Sequence, residues 1–191
     1  MSIVSVVVMV LTAVGLAPLG LEILDWAKAD STRNQAKTHV EILAGGGNKN
    51  VAGTIPNVYL WDNAGTKIGQ WKSNGRHLDE SHSSGDTTGN DISIPHESKK
   101  TGQPHYILLN AANDDAICIS QVTVTSNGVA WSWLGDIARN CGAEWYHSKT
   151  MVGSRTYMPA CAWLDEDHSN GGRYRAMSLH MPDFNGATKL T

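Results

Sequence analysis

A chain of 191 residues with 15 basic and 18 acidic side chains carries a formal net charge of −3. That balance excludes the basic footprint of a nucleic-acid binder and of a protein held electrostatically on an anionic membrane. Hydrophobic residues make up 41% of the sequence, enough at this length to fill one core without a dense disulfide framework.

The first element is a leader. No charged residue occurs from Ile3 to Leu21, and the first is Glu22. An apolar run of this length can enter a translocon and can also span a bilayer. Ala27-Lys28-Ala29 then offers small residues at the two positions a signal peptidase must fit, so residues 1–29 read as a signal peptide. No Lys or Arg precedes the run, and Pro18-Leu19-Gly20 would break a signal helix early. An uncleaved signal anchor is therefore the alternative. The first reading predicts a secreted protein, the second one tethered to a membrane of the secretory pathway; membrane contact is expected only in the second. Removing Glu22, Asp25 and Lys28 with the leader leaves 14 basic and 16 acidic residues, a net of −2.

Residues 30–37 form a polar arm, and residues 38–191 read as a single domain of short strands. Thr38-His39-Val40-Glu41-Ile42-Leu43 alternates with period two. Asn57–Trp61 and Lys67–Trp71 flank the turn Asp62-Asn63-Ala64-Gly65 and predict a hairpin. Residues 73–90 are almost wholly polar and predict a long loop. Strands are expected at Asp91–Pro95, His105–Asn110 and Ala116–Thr125. Asn127-Gly128 then leads into Val129–Leu134, and Asn-Gly between β-rich runs is a strong hairpin signal. Trp145–Ser148, Ala162–Leu164 and Tyr174–Met181 complete the series. Apolar spacing of three and four does not persist anywhere in the domain, so no long helix is expected. Roughly eight to ten short strands predict an all-β fold, an antiparallel β-sandwich of PLAT-like or jelly-roll-like form.

An odd cysteine count in an oxidising compartment implies one bridge and one remaining thiol. Cys118 lies within Ala116-Ile117-Cys118-Ile119, where it would act as a small core residue. Cys141 and Cys161 lie in loop-like contexts, so the predicted bridge joins Cys141 to Cys161. No Asn-x-Ser/Thr acceptor is present.

Two resemblances follow from these segments. The opening strand, Ala52-Gly53-Thr54 and Asn57-Val58-Tyr59-Leu60 resemble the start of a PLAT-type β-sandwich, a family that mediates lipid and protein contacts in lipases and lipoxygenases. Asn113-Asp114-Asp115-Ala116-Ile117-Cys118-Ile119, Trp133-Leu134-Gly135-Asp136, Cys141-Gly142, Trp145-Tyr146 and Cys161-Ala162-Trp163-Leu164-Asp165 are similar to a family of small secreted proteins of filamentous fungi. The second resemblance implies secretion and a β fold, and it assigns no residue a role.

The sequence holds no Gly-x-Ser-x-Gly elbow, no His-Glu-x-x-His zinc helix and no phosphate loop. His77, Asp79, Glu80, His82 and Asp86 could gather a transition metal, but as part of a long polar loop they read as solvated side chains. Asp165, Asp167 and Ser169 carry oxygens at alternate positions before Gly171, the spacing that lets side chains converge on calcium. The distal bidentate Glu of a full calcium loop is missing, and the segment also explains itself as a turn. No other cofactor is expected.

Six tryptophans follow the leader, against a single phenylalanine, Phe184. Indole rings suit partly wet faces on which sugars or flat ligands stack. Trp61, Trp71, Trp131 and Trp133 are the candidate binding residues. Trp131 and Trp133 lie two apart on one strand and must share a face, which is a binding platform if it points outward and core if it points inward. The leading hypothesis is a secreted, non-catalytic binding or effector-like module that uses an aromatic face. Its partner would be a small hydrophobic ligand, a carbohydrate or another protein. The alternative is a cyclase or isomerase that holds a hydrophobic small molecule between the sheets, with Asp114, Asp115, His105 and Asp136 as candidate acids and bases. A closed Trp-lined cavity would favour the enzyme; a filled interior with exposed indoles would favour the binder.

Overall fold

The computed structural model describes residues 36–47, 51–78, 91–97, 102–152, 157–169 and 172–184. The leader, most of the polar arm, and Asp79, Glu80, His82 and Asp86 lie outside the described residues.

Among the described residues, twelve strands and one short helix follow in order. The strands are β1 (Lys37–Ala44), β2 (Gly53–Thr54), β3 (Asn57–Trp61), β4 (Lys67–Trp71), β5 (His77–Leu78), β6 (Asp91–Pro95), β7 (Tyr106–Asn110), β8 (Ile117–Ser126) and β9 (Val129–Leu134). After them come the helix α1 (Gly135–Asn140), β10 (Trp145–His147), β11 (Ala160–Leu164), β12 (Ala176–His180) and a 3-10 turn, Met181–Phe184. A six-stranded sheet runs β10-β11-β8-β1-β6, with β9 also paired to β8, and a four-stranded sheet runs β12-β7-β3-β4. Every pairing is antiparallel, and the two sheets pack as a β-sandwich.

Strand alternation explains the core. Val40 and Ile42 of β1, Ile92 and Ile94 of β6, and Val122 and Val124 of β8 face Val58 and Leu60 of β3 and Ile107 and Leu109 of β7. Both residues of the Asn127-Gly128 turn have positive φ, 48° and 76°, as a tight two-residue hairpin requires. That turn sets β8 and β9 in register, with Val122 opposite Trp133 and Val124 opposite Trp131.

The helix was not expected from the sequence. Six residues are too few to show a helical period, and its signals are local instead. Asp136 sits in the first turn and Arg139 in the last, complementing the helix dipole. Gly142, at φ 84°, ends it, and the N–H groups of Gly142 and Ala143 bond the carbonyls of Arg139 and Ala138. Gly135 is required by closeness rather than by φ: a Cβ there would meet the Ala160 carbonyl oxygen at 2.2 Å and that of Ile119 at 2.9 Å.

The disulfide differs from the expected one. Cys118 is bridged to Cys161, with Cα atoms 5.2 Å apart, and Cys141 is free and exposed. Cys118 is indeed buried, but on the side of β8 that faces away from the inter-sheet core. There it packs with Val51, Cys161 and Trp163 as a separate cluster. All ten residues of β8 are buried, so an apolar run could not reveal which face Cys118 occupies. β11 lies beside β8, with Trp163 opposite Cys118, and brings Cys161 within bonding reach. Cys141 instead falls just past the end of α1.

Candidate functional site

The four candidate tryptophans separate once placed. Trp131 and Trp133 point inward and are 6% and 2% exposed, so the expected outward platform on β9 is replaced by core. The reason is the hairpin register, which sets both indoles behind Val122 and Val124, on the face that meets the four-stranded sheet. Trp71 packs partly against the same core. Trp61 alone lies on an outer face.

That face belongs to the four-stranded sheet. Val58, Leu60, Ile107, Leu109 and Leu179 point inward, so alternation turns Tyr59, Trp61, Tyr106 and His180 outward. Register aligns three of them across the strands, Trp61 opposite Tyr106 and Tyr106 opposite His180. The Tyr106 and His180 rings are 4.7 Å apart, and Tyr59 stacks with Trp61 at 6.0 Å. Lys72 sits over the Tyr59 ring at 4.6 Å. The result is an aromatic strip with a cation at one side.

A second feature lies at the edge of the sandwich, beside the edge strand β12. Here α1 and β11 on one side and β12 with its 3-10 turn on the other leave a pocket of about 370 Å³. Its walls are mostly apolar, including Trp133, Trp163, Met177, Leu179 and Phe184. Cys141 lies on its lining, as do His180 and Asp183. His180 Nδ1 is 3.0 Å from Asp183 Oδ1, an (i, i+3) pair carried by the turn that follows β12. His180 thus belongs to both the strip and the pocket.

The candidate acids and bases do not converge. His105 precedes β7 and its Nδ1 meets the Gln103 carbonyl at 3.1 Å, whereas Asp114 and Asp115 follow the far end of that strand. Asp115 accepts a hydrogen bond from Thr54 Oγ1 at 3.0 Å and lies 3.4 Å from His77 Nε2. Asp136 is 3.4 Å from Arg139 and accepts the Ala160 N–H at 3.3 Å. None of the four lines the pocket.

Asp165, Asp167 and Ser169 are brought into one turn. Asp167 accepts the Ser169 N–H at 3.0 Å, and hydrogen bonds from the Ser169 backbone and hydroxyl hold its carboxyl below the ordinary range. Asp165 is fully buried, at the end of β11. Among the described residues no group of three His, Cys, Asp or Glu side chains is placed to hold a metal ion.

Sequence reasoning missed the pocket. Ile137, Ala138 and Met177 carry no chemical signature, and Cys141 was assigned to the bridge. The one available signal was the helix-capping pattern from Asp136 to Gly142.

Comparison with known proteins adds little to this geometry. No protein-family model and no curated protein matches the chain. Among solved structures, the crystal structure of a LOX variant aligns with 78% of this chain at 11% identity and a TM-score of 0.43, and the chain spans 16% of that protein's length.

Proposed function

We propose that this domain is a secreted, non-catalytic binding module that takes an apolar small molecule in the pocket beside β12. The observation that carries the reading is the pocket itself. Its volume of about 370 Å³ falls within the ~300–1,000 Å³ usual for small-molecule sites, and its walls are largely aromatic and aliphatic. The packed interior supports binding over catalysis, because Trp131 and Trp133 fill the space between the sheets. The placement of Asp114, Asp115, His105 and Asp136 away from the pocket removes support from the cyclase or isomerase reading. Secretion is supported by the leader and by the Cys118–Cys161 bridge, since disulfides persist in oxidising compartments.

The test uses the uncharged fluorophore N-phenylnaphthylamine with the secreted protein. Saturable emission is expected, and the bound probe should slow alkylation of Cys141, a thiol on the pocket wall. Ala143→Trp, which places an indole on the lining, should abolish both effects. Emission that rises linearly with probe, with unchanged alkylation, would reject the reading.

A second reading rests on the aligned rings of Trp61, Tyr106 and His180. A flat row of rings on an outer sheet face suits stacking against sugar rings. Retardation of the protein in gels containing soluble polysaccharides, lost in Trp61→Ala with Tyr106→Ala, would support it; unretarded wild-type protein would dismiss it.

A further inference from the structure

We infer that the pocket selects a cationic amphiphile, an apolar body carrying a basic amine, over neutral or acidic molecules of the same shape. This inference rests on the pocket reading and extends it to the ligand's head group. The basis is the charge on the wall. Among the residues that line the pocket, Asp183 is the only carboxylate, and there is no Lys or Arg. The arginines nearest in sequence to the lining are committed to carboxylates elsewhere. Arg173 is 2.7 Å from Glu144, Arg175 is paired with Glu166, and Arg139 is 3.4 Å from Asp136. An acidic head group would therefore meet a carboxylate with no lysine or arginine on the lining to offset the repulsion.

The Asp183 carboxylate can receive an ammonium. His180 Nδ1 occupies one position at 3.0 Å, but a carboxylate accepts through two oxygens and several lone pairs. Asp183 lies in the 3-10 turn that follows β12, the strand carrying Met177 and Leu179 of the apolar wall, and Phe184 is its neighbour in that turn. A ligand whose apolar part lies on Leu179 and Phe184 would thus bring its head to Asp183.

The experiment compares phenylbutylamine, phenylbutanol and phenylbutanoate as competitors of N-phenylnaphthylamine, near neutral pH and at low salt. The amine should displace the probe about three- to fivefold more effectively than the alcohol, the scale of one partly exposed ion pair. The carboxylate should be the weakest of the three. Asp183 is exposed, so Asp183→Asn should fold normally. It should remove the amine's advantage over the alcohol, and added salt should do the same. Equal displacement by all three, or an amine preference that survives in Asp183→Asn, would overturn the inference while leaving the pocket reading standing. Failure of all three to displace a saturably bound probe would overturn the inference alone; absence of saturable probe binding would overturn both.

Discussion

Cys118 on β8 and Cys161 on β11 are bridged on the outer face of the six-stranded sheet, and Gly45 lies directly against them. The Gly45 N–H donates to the Cys118 carbonyl at 2.9 Å, and a Cβ on Gly45 would meet the Cys161 Sγ at 2.5 Å. The bridge therefore joins two adjacent strands and also seats the chain that leaves β1. With 43 residues of separation, the loop it closes should stabilise the domain by about 4 kcal/mol through restriction of the unfolded chain. Cys118→Ala with Cys161→Ala should lower the unfolding free energy by that order in urea titrations. Peptide mapping without reduction should find Cys141 alone alkylated; a Cys141–Cys161 peptide would contradict the bridge.

Replacing the inner indoles should separate core from pocket. Trp131→Ala and Trp133→Ala should each cost about 3–5 kcal/mol and reduce the yield of folded protein. Trp133→Phe should fold and bind N-phenylnaphthylamine more weakly, because Trp133 also lines the pocket. Trp131→Phe should fold with unchanged probe affinity. Unchanged melting of both alanine variants would show that these rings are not core.

Gly135→Ala should destabilise by about 1–3 kcal/mol, since its Cβ would strike two backbone carbonyl oxygens that cannot move independently. Shifting the start of α1 should also disturb the pocket wall at Ile137 and Ala138. Thermal melting and probe titration check the two effects. A variant as stable as the parent would show that Ala160 and Ile119 yield easily.

Stability should fall with acid through His39. Burial, and secondarily the Lys37 charge, lower its pKa from 6.5 to about 3. Between those values the unfolded chain binds the proton and the folded one does not, so stability is lost as pH falls below about 6.5 and levels off near 3. Asp91, 3.4 Å away, acts in the opposite direction at the acid end, because burial raises its carboxyl above 3.8 and the folded state then keeps that proton longer. The ring retains some solvent contact, so the expected loss is about 1–2 kcal/mol by pH ~4.5. His39→Asn should flatten this slope in urea midpoints measured across the range. An equally steep slope in the variant would assign the effect to other groups.

Processing is tested directly. N-terminal sequencing of protein secreted by a eukaryotic host should give a chain that begins near Asp30, after Ala27-Lys28-Ala29. Full-length chain retained in membranes would replace the signal peptide with an anchor.

Local chemistry in the sequence determined most of the strands. Short runs bounded by turns and polar links placed β3, β6 and β7 within a residue or so of their ends, because local composition and run length need no remote partner to mark a strand. The Asn127-Gly128 turn determined the β8–β9 register for the same local reason. The tertiary structure alone decided what depends on remote neighbours. Cys118 could be assigned a partner only once β11 was seen beside β8, and Trp61, Tyr106 and His180 became a row only when β3, β7 and β12 were paired. The pocket depends on α1, which follows β9 of the six-stranded sheet, approaching β12 of the four-stranded sheet at one edge. No local pattern encodes such a meeting, because its energy comes from burial shared between segments rather than from either segment's own preference.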